Sequence, residues 1–104
     1  MSAERLKKDF VEKYVSEGED KFYRYLLLLA LKKLILINKG NYRGSSPHLE
    51  LLECYNQFLS LYRKEGEDIY LQMARTFRKV AHRIYRIMLK KDMIKEDNKF
   101  LNLV

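Results

Sequence analysis

The sequence has little of what stabilises small secreted proteins or builds membrane spans. Its 104 residues include one cysteine, one proline and four glycines. The lone Cys54 cannot form an internal disulfide, which excludes a disulfide-stapled fold. The longest apolar stretch, residues 26–37, is interrupted by Lys32 and Lys33 and is too short and too charged to cross a membrane. Because the first residues are also too polar for a secretory signal, we expect a cytoplasmic protein, or one of a host's cytosol or nucleus.

The composition that remains predicts one folded domain covering residues 1–104. Apolar residues make up 47% of the chain, which argues against intrinsic disorder. A chain of this length buries about two-thirds of its unfolded surface, so it needs no metal or disulfide to fold, and we expect no cofactor. Lys and Arg number 21 against 14 Asp and Glu. The resulting net charge of +7 bears on partners rather than on fold.

Glycine, serine and proline divide the chain into four helices. Gly18 and Gly66 each lie inside a Glu-Gly-Glu-Asp sequence, in which the glycine can end one helix and the aspartate can cap the next. Ser46 and Pro47 are typical of a cap followed by a first helical residue. No segment alternates as a strand would. We therefore predict an all-α, antiparallel up-down four-helix bundle of two hairpins, with helices at about 3–17, 20–38, 47–65 and 68–91 and a tail, 92–104, that docks on it.

The Glu-Gly-Glu-Asp sequence occurs twice, at positions 48 residues apart, and two alternative origins explain this repeat. One is an internal duplication of a helical hairpin. The other is convergent turn chemistry, because every helical hairpin needs a glycine and a cap at its turn. Both predict the same architecture.

The second helix is apolar on nearly every side, which favours contact with more than one neighbour. Such a helix in a small bundle has more apolar surface than its own chain can cover. We expect a homo-oligomer or a hetero-complex, with the contact made by Leu27, Leu28, Leu31 and Ile35. The alternative is a central helix covered by the 39–46 loop and the tail.

Positive charge is concentrated in two windows that contain no acidic residue, 21–49 and 69–91. Between Asp68 and Asp92 the apolar residues form one arc of the fourth helix and the basic residues form the opposite arc. Ordinary solvated helices mix charges of both signs. The sequence therefore predicts a polyanion-binding face, on which the phosphate-contacting residues are Arg75, Arg78, Lys79, Arg83, Arg86 and Lys90.

The first window adds Lys32, Lys33 and Arg43 to the predicted anion-binding residues, together with Tyr42. Tyr42 has no core position on a helix, so its ring could stack on an unpaired base. The main hypothesis is a non-catalytic bundle that binds RNA, DNA or a nucleoprotein complex. The alternative is an adaptor or a phage or pathogen accessory protein, whose basic face meets an acidic protein.

Catalytic and metal-binding patterns are scarce. Cys54 has no evident base partner, and no cluster of cysteine and histidine predicts a metal site. Arg75 and His82, separated by six residues on the last long helix, resemble the Arg-(four to six residues)-His motif of the HEPN ribonuclease family. That resemblance implies an all-helical, often dimeric enzyme acting on an RNA backbone. We expect instead that the chain is not an enzyme and that His82 is one more polar residue of the basic face.

Overall fold

A computed structural model describes residues 5, 7–42, 44 and 46–94 of the chain. The first helix, α1, begins with a π-helical turn at Lys7–Val11 and continues as Glu12–Glu17. Helix α2 spans Glu19–Asn38, α3 spans Pro47–Glu65 and α4 spans Asp68–Lys90. The described residues contain no strand, and the helices pack as a compact bundle, which confirms the predicted fold class. The predicted bounds differ from these by only a few residues.

The predicted helix signals are correct in position but not in every detail. Ser46 precedes α3, and Pro47 is its first residue. Gly66 ends α3 in the left-handed conformation, with its N–H donating to the carbonyl of Tyr62 at 2.8 Å. The predicted capping aspartates are wrong, because Asp68 lies inside the first turn of α4, behind Glu67. An acid there still interacts favourably with the positive end of the helix dipole.

Helix α4 is the central element of the bundle. It packs most extensively on α3 and next on α2, whereas α2 and α3 have little direct contact. Phe77 of α4, only 1% exposed, contacts one ring from each other helix. Its ring centroid lies 5.4 Å from Phe10, 5.8 Å from Phe22 and 5.4 Å from Phe58. The core is thus organised around an aromatic cluster that joins all four helices.

Some of the apolar residues of α2 are buried in the core, and others are exposed to solvent. Its buried residues recur every four positions, at Phe22, Leu26, Ala30 and Leu34. Of the four residues predicted to form an intermolecular contact, Leu27 and Leu31 are half-buried against the core. Leu28 and Ile35 are exposed, at 58% and 54%. Oligomerisation itself stays a prediction.

Two predictions on membranes and on the tail have different outcomes. Within the part of the chain that the structure describes, no helix is both long and apolar enough to span a membrane. Of the tail, Met93 and Ile94 pack partly against the core. Residues 95–104 lie outside the described residues, as does the predicted docking of their apolar side chains.

Candidate functional site

The basic residues of α4 form a single row on the side of the helix that faces away from the core. Buried residues such as Met73, Phe77, Val80 and Ile84 occupy the opposite side. The spacing of the bases by three or four positions keeps them on one face, because an α-helix has 3.6 residues per turn. We define the α4 basic row as the five exposed bases Arg75, Lys79, Arg83, Arg86 and Lys90. At 1.5 Å per residue, the row is about 22 Å long.

Two members of the row contact the start of α2. The ammonium of Lys79 lies 3.6 Å from the carboxylate of Glu19, and Nη1 of Arg83 donates to the hydroxyl of Tyr23 at 3.2 Å. Both partners lie the same number of positions earlier in the chain, so α2 and α4 run in the same direction along this seam. Arg24, one position beyond Tyr23 and exposed, lies on the outer side of that seam.

The window 69–91 contains no acidic residue, but Lys79 has a counter-charge from another helix, Glu19 of α2. The pair is well exposed on both sides, so it contributes little to stability. Among the residues that the structure describes, Arg75, Arg86 and Lys90 form no ion pair. Sequence reasoning missed Glu19 and Tyr23 because nothing in the sequence specifies which residues of α2 meet α4.

Arg78 and His82, which sequence analysis also placed on the basic face, lie at the edge of the row and are half-buried. Arg75 and His82, the pair that resembles the ribonuclease motif, are two helical turns apart on the same side of α4. The distance between them along the axis is about 10 Å. Nothing in this arrangement tests the catalytic alternative.

Lys33 and Tyr42 lie away from the α4 basic row, in a cluster around Glu50 of α3. The ammonium of Lys33 contacts one carboxylate oxygen of Glu50. The Tyr42 hydroxyl donates to the other at 2.9 Å. Burial raises the pKa of Tyr42, and the hydrogen bond to Glu50 raises it further. Both predicted anion-binding side chains therefore already have an anionic partner within the chain.

The other two predicted residues of the first window have different positions. Lys32 is exposed on the outer side of α2. Arg43 lies outside the described residues. The predicted set of ten residues is therefore not one surface: five form the α4 basic row, and Lys33 and Tyr42 form a separate cluster with Glu50.

A cavity of about 420 Å³ opens between α2 and α3, beside this cluster. Its walls include Leu26, Ala30 and Leu51, and the Cys54 side chain also lines it. Burial raises the pKa of the Cys54 thiol to about 11, and the nearby carboxylates of Glu53 and Glu50 act in the same direction. The thiol is therefore protonated at neutral pH and is a poor nucleophile.

We expect Cys54 to react slowly with iodoacetamide in the native protein. Only the thiolate reacts, and a pKa of about 11 leaves a far smaller thiolate fraction than an unfolded cysteine has. At pH 8 the native rate should be roughly a hundredfold below the rate in urea, and it should rise with pH beyond 9. Mass spectrometry of the alkylated chain measures both rates. A native rate that levels off near pH 8.5 would contradict the burial of this thiol.

Among the described residues, no three histidine, cysteine, aspartate or glutamate side chains come together so as to hold a metal ion. The α4 basic row is the extended charged surface described above. Comparison of the chain with protein-family models, with curated proteins and with solved structures found no match.

Proposed function

We propose that this protein is a non-catalytic nucleic-acid-binding bundle, which binds RNA, DNA or a nucleoprotein complex through the α4 basic row. The observation that carries the proposal is the row itself: five exposed bases in line on one helix, in a window without an acidic residue. Neighbouring bases repel one another, which costs stability in the absence of an anionic ligand. Phosphates would remove that repulsion.

The spacing of the row suits contacts with a phosphate backbone. Successive bases are three or four residues apart, so they follow one another at steps of about 5 to 6 Å. The aromatic residues of the same helix, Tyr70, Phe77 and Tyr85, are buried and cannot stack on bases. The row would therefore contact phosphates without reading sequence. Binding should be nonspecific and strongly dependent on salt.

Removing Arg75 and Arg86 tests the proposal, since both are exposed and form no ion pair within the described chain. We expect the double variant Arg75→Ala, Arg86→Ala to bind labelled RNA and DNA more weakly. The slope of log K against log salt should fall by about 2, one counterion for each lost contact. Fluorescence anisotropy at a series of salt concentrations measures both effects.

The matched control removes two other exposed bases. Arg63 and Lys64, in the last turn of α3, lie beside the acidic turn at residues 65–68. The variant Arg63→Ala, Lys64→Ala has the same net charge as the test variant and should keep the parent salt slope. Equal losses in the two variants would show that net charge alone drives binding and would refute a site on α4.

The same samples address the catalytic alternative. We expect RNA recovered after incubation with the protein to be intact. Cleavage that disappears in His82→Ala would overturn the non-catalytic part of the proposal and support the ribonuclease resemblance. Absence of any RNA or DNA binding at low salt would refute the proposal as a whole.

A further inference from the structure

The outer side of α2 carries a second surface, distinct from the α4 basic row. Apart from Lys32, its residues recur at alternating intervals of three and four positions, the spacing with which one helix packs along another. We define the α2 outer stripe as Lys21, Arg24, Leu28, Leu31, Lys32 and Ile35. All are exposed except Leu31, which is half-buried.

The apolar residues of the stripe are largely exposed to solvent. Leu28 and Ile35 are over half exposed, and Leu29 and Leu36 beside them are also exposed. Scattered exposed leucines are ordinary, but Leu28 and Ile35 are exposed on one face of the helix, two turns apart, as apolar residues at a protein contact are. Leu28, Leu31 and Ile35 follow the i, i+3, i+7 pattern of helix-to-helix recognition.

The charges of the stripe decide what kind of helix it accepts. Lys21, Arg24 and Lys32 form no ion pair with any carboxylate in the described part of the chain. An apolar partner helix placed on this surface would meet the positive charges of these three side chains, so carboxylates on that helix would strengthen the contact.

A second copy of this chain fits the stripe poorly. Two α2 helices packed in parallel would place Arg24 opposite Arg24. Packed antiparallel, with Leu28 against Ile35, they would place Arg24 opposite Lys39. Either arrangement brings like charges together, which is unfavourable. The homo-oligomeric contact predicted from the sequence is therefore not the best occupant of this surface.

We propose that the α2 outer stripe docks an acidic amphipathic helix of a partner protein. Apolar residues of that helix pack against Leu28, Leu31 and Ile35. Its carboxylates meet Lys21 and Arg24 at one end of the contact and Lys32 along the side. The proposal does not rest on nucleic-acid binding, because it uses α2 and leaves Arg75 and Arg86 of the α4 basic row unoccupied.

Two synthetic peptides test the charge preference. Each is a three-heptad amphipathic helix with the same leucines and isoleucines on one face; the flanking positions are glutamate in one peptide and lysine in the other. We expect the fluorescein-labelled glutamate peptide to bind at least about tenfold more tightly than the lysine peptide. Arg24→Glu plus Lys32→Glu should reverse the preference. Equal affinity for both peptides would refute the proposal.

Two variants locate the contact. Leu28→Asp should abolish binding of the glutamate peptide, whereas Leu49→Asp, at an exposed leucine in the first turn of α3, should not. Circular dichroism should show that both variants fold, as expected for substitutions at exposed positions. Arg75→Ala plus Arg86→Ala should keep peptide binding, which separates this proposal from the nucleic-acid one.

Light scattering tests the other occupant, a second copy of the chain. A dimer that Leu28→Asp dissociates would make a second copy the occupant and overturn the proposal.

Discussion

Replacement of Phe77 by alanine is expected to lower the free energy of unfolding by about 3–5 kcal/mol. The side chain is almost completely buried, and its ring contacts Phe10 of α1, Phe22 of α2 and Phe58 of α3. Truncation would leave a cavity where all four helices meet, and no single helix could move to fill it. Because single domains are stable by only about 5–15 kcal/mol, the variant should be close to unfolding.

Urea denaturation followed by far-UV circular dichroism measures this loss. Phe77→Leu keeps most of the apolar volume and should cost about 1 kcal/mol. Arg75→Ala, on the opposite side of the same helix, should change stability by less than about 0.5 kcal/mol. A loss below about 1 kcal/mol for Phe77→Ala would show that the aromatic cluster is not the centre of the core.

The structure confirms most clearly what depends on helical periodicity. The division of α4 into a buried and a basic side follows from residue spacing alone. Burial of Met73, Phe77, Val80 and Ile84 agrees with the predicted apolar arc. Such a pattern is visible in sequence because each side of the helix has one kind of environment.

Periodicity fails for α2, whose leucines and isoleucines occupy nearly every side. The sequence could not distinguish buried Leu26 and Leu34 from exposed Leu28 and Ile35, because all four are equally apolar. Only the positions of α1, α3 and α4 around α2 decide which side is covered. The predicted contact residues therefore divide into a half-buried pair, Leu27 and Leu31, and an exposed pair, Leu28 and Ile35, a distinction that the pattern does not contain.

Side-chain contacts between residues that are distant in the chain could not be predicted from the sequence either. The sequence makes Tyr42 a candidate for base stacking because it has no core position on a helix, and the structure adds a hydrogen bond from its hydroxyl to Glu50 of α3. Glu19 and Tyr23 contact Lys79 and Arg83 across the α2–α4 seam. No local rule pairs such residues, since side-chain hydrogen bonds between helices depend on how the helices pack.

The repeated Glu-Gly-Glu-Asp sequence forms two different turns. Gly66 has φ 72° and ψ 9°, in the left-handed helical region, and α4 begins two residues later. Gly18 has φ 89° and ψ 168°, a conformation open essentially to glycine alone, and α2 begins at the next residue. Both N–H groups donate to the carbonyl four residues earlier. Both Glu-Gly-Glu-Asp sequences thus end a helix with the same hydrogen bond, but the next helix begins one residue after Gly18 and two residues after Gly66.

This difference predicts unequal responses to substitution. A Cβ at either glycine meets no atom within 4 Å, so any loss of stability comes from the backbone conformation alone. Gly66→Ala should cost about 1 kcal/mol, and Gly66→Asn should recover much of that loss, because asparagine tolerates the left-handed region. Gly18→Ala should cost about 1–3 kcal/mol, and Gly18→Asn should recover none of it.

Thermal and urea unfolding of the four variants measure these differences. Recovery by asparagine at position 66 but not at position 18 would establish that the two turns differ in solution. Recovery at both positions would show that Gly18 also adopts the left-handed helical conformation. The two hairpins would then share one turn geometry.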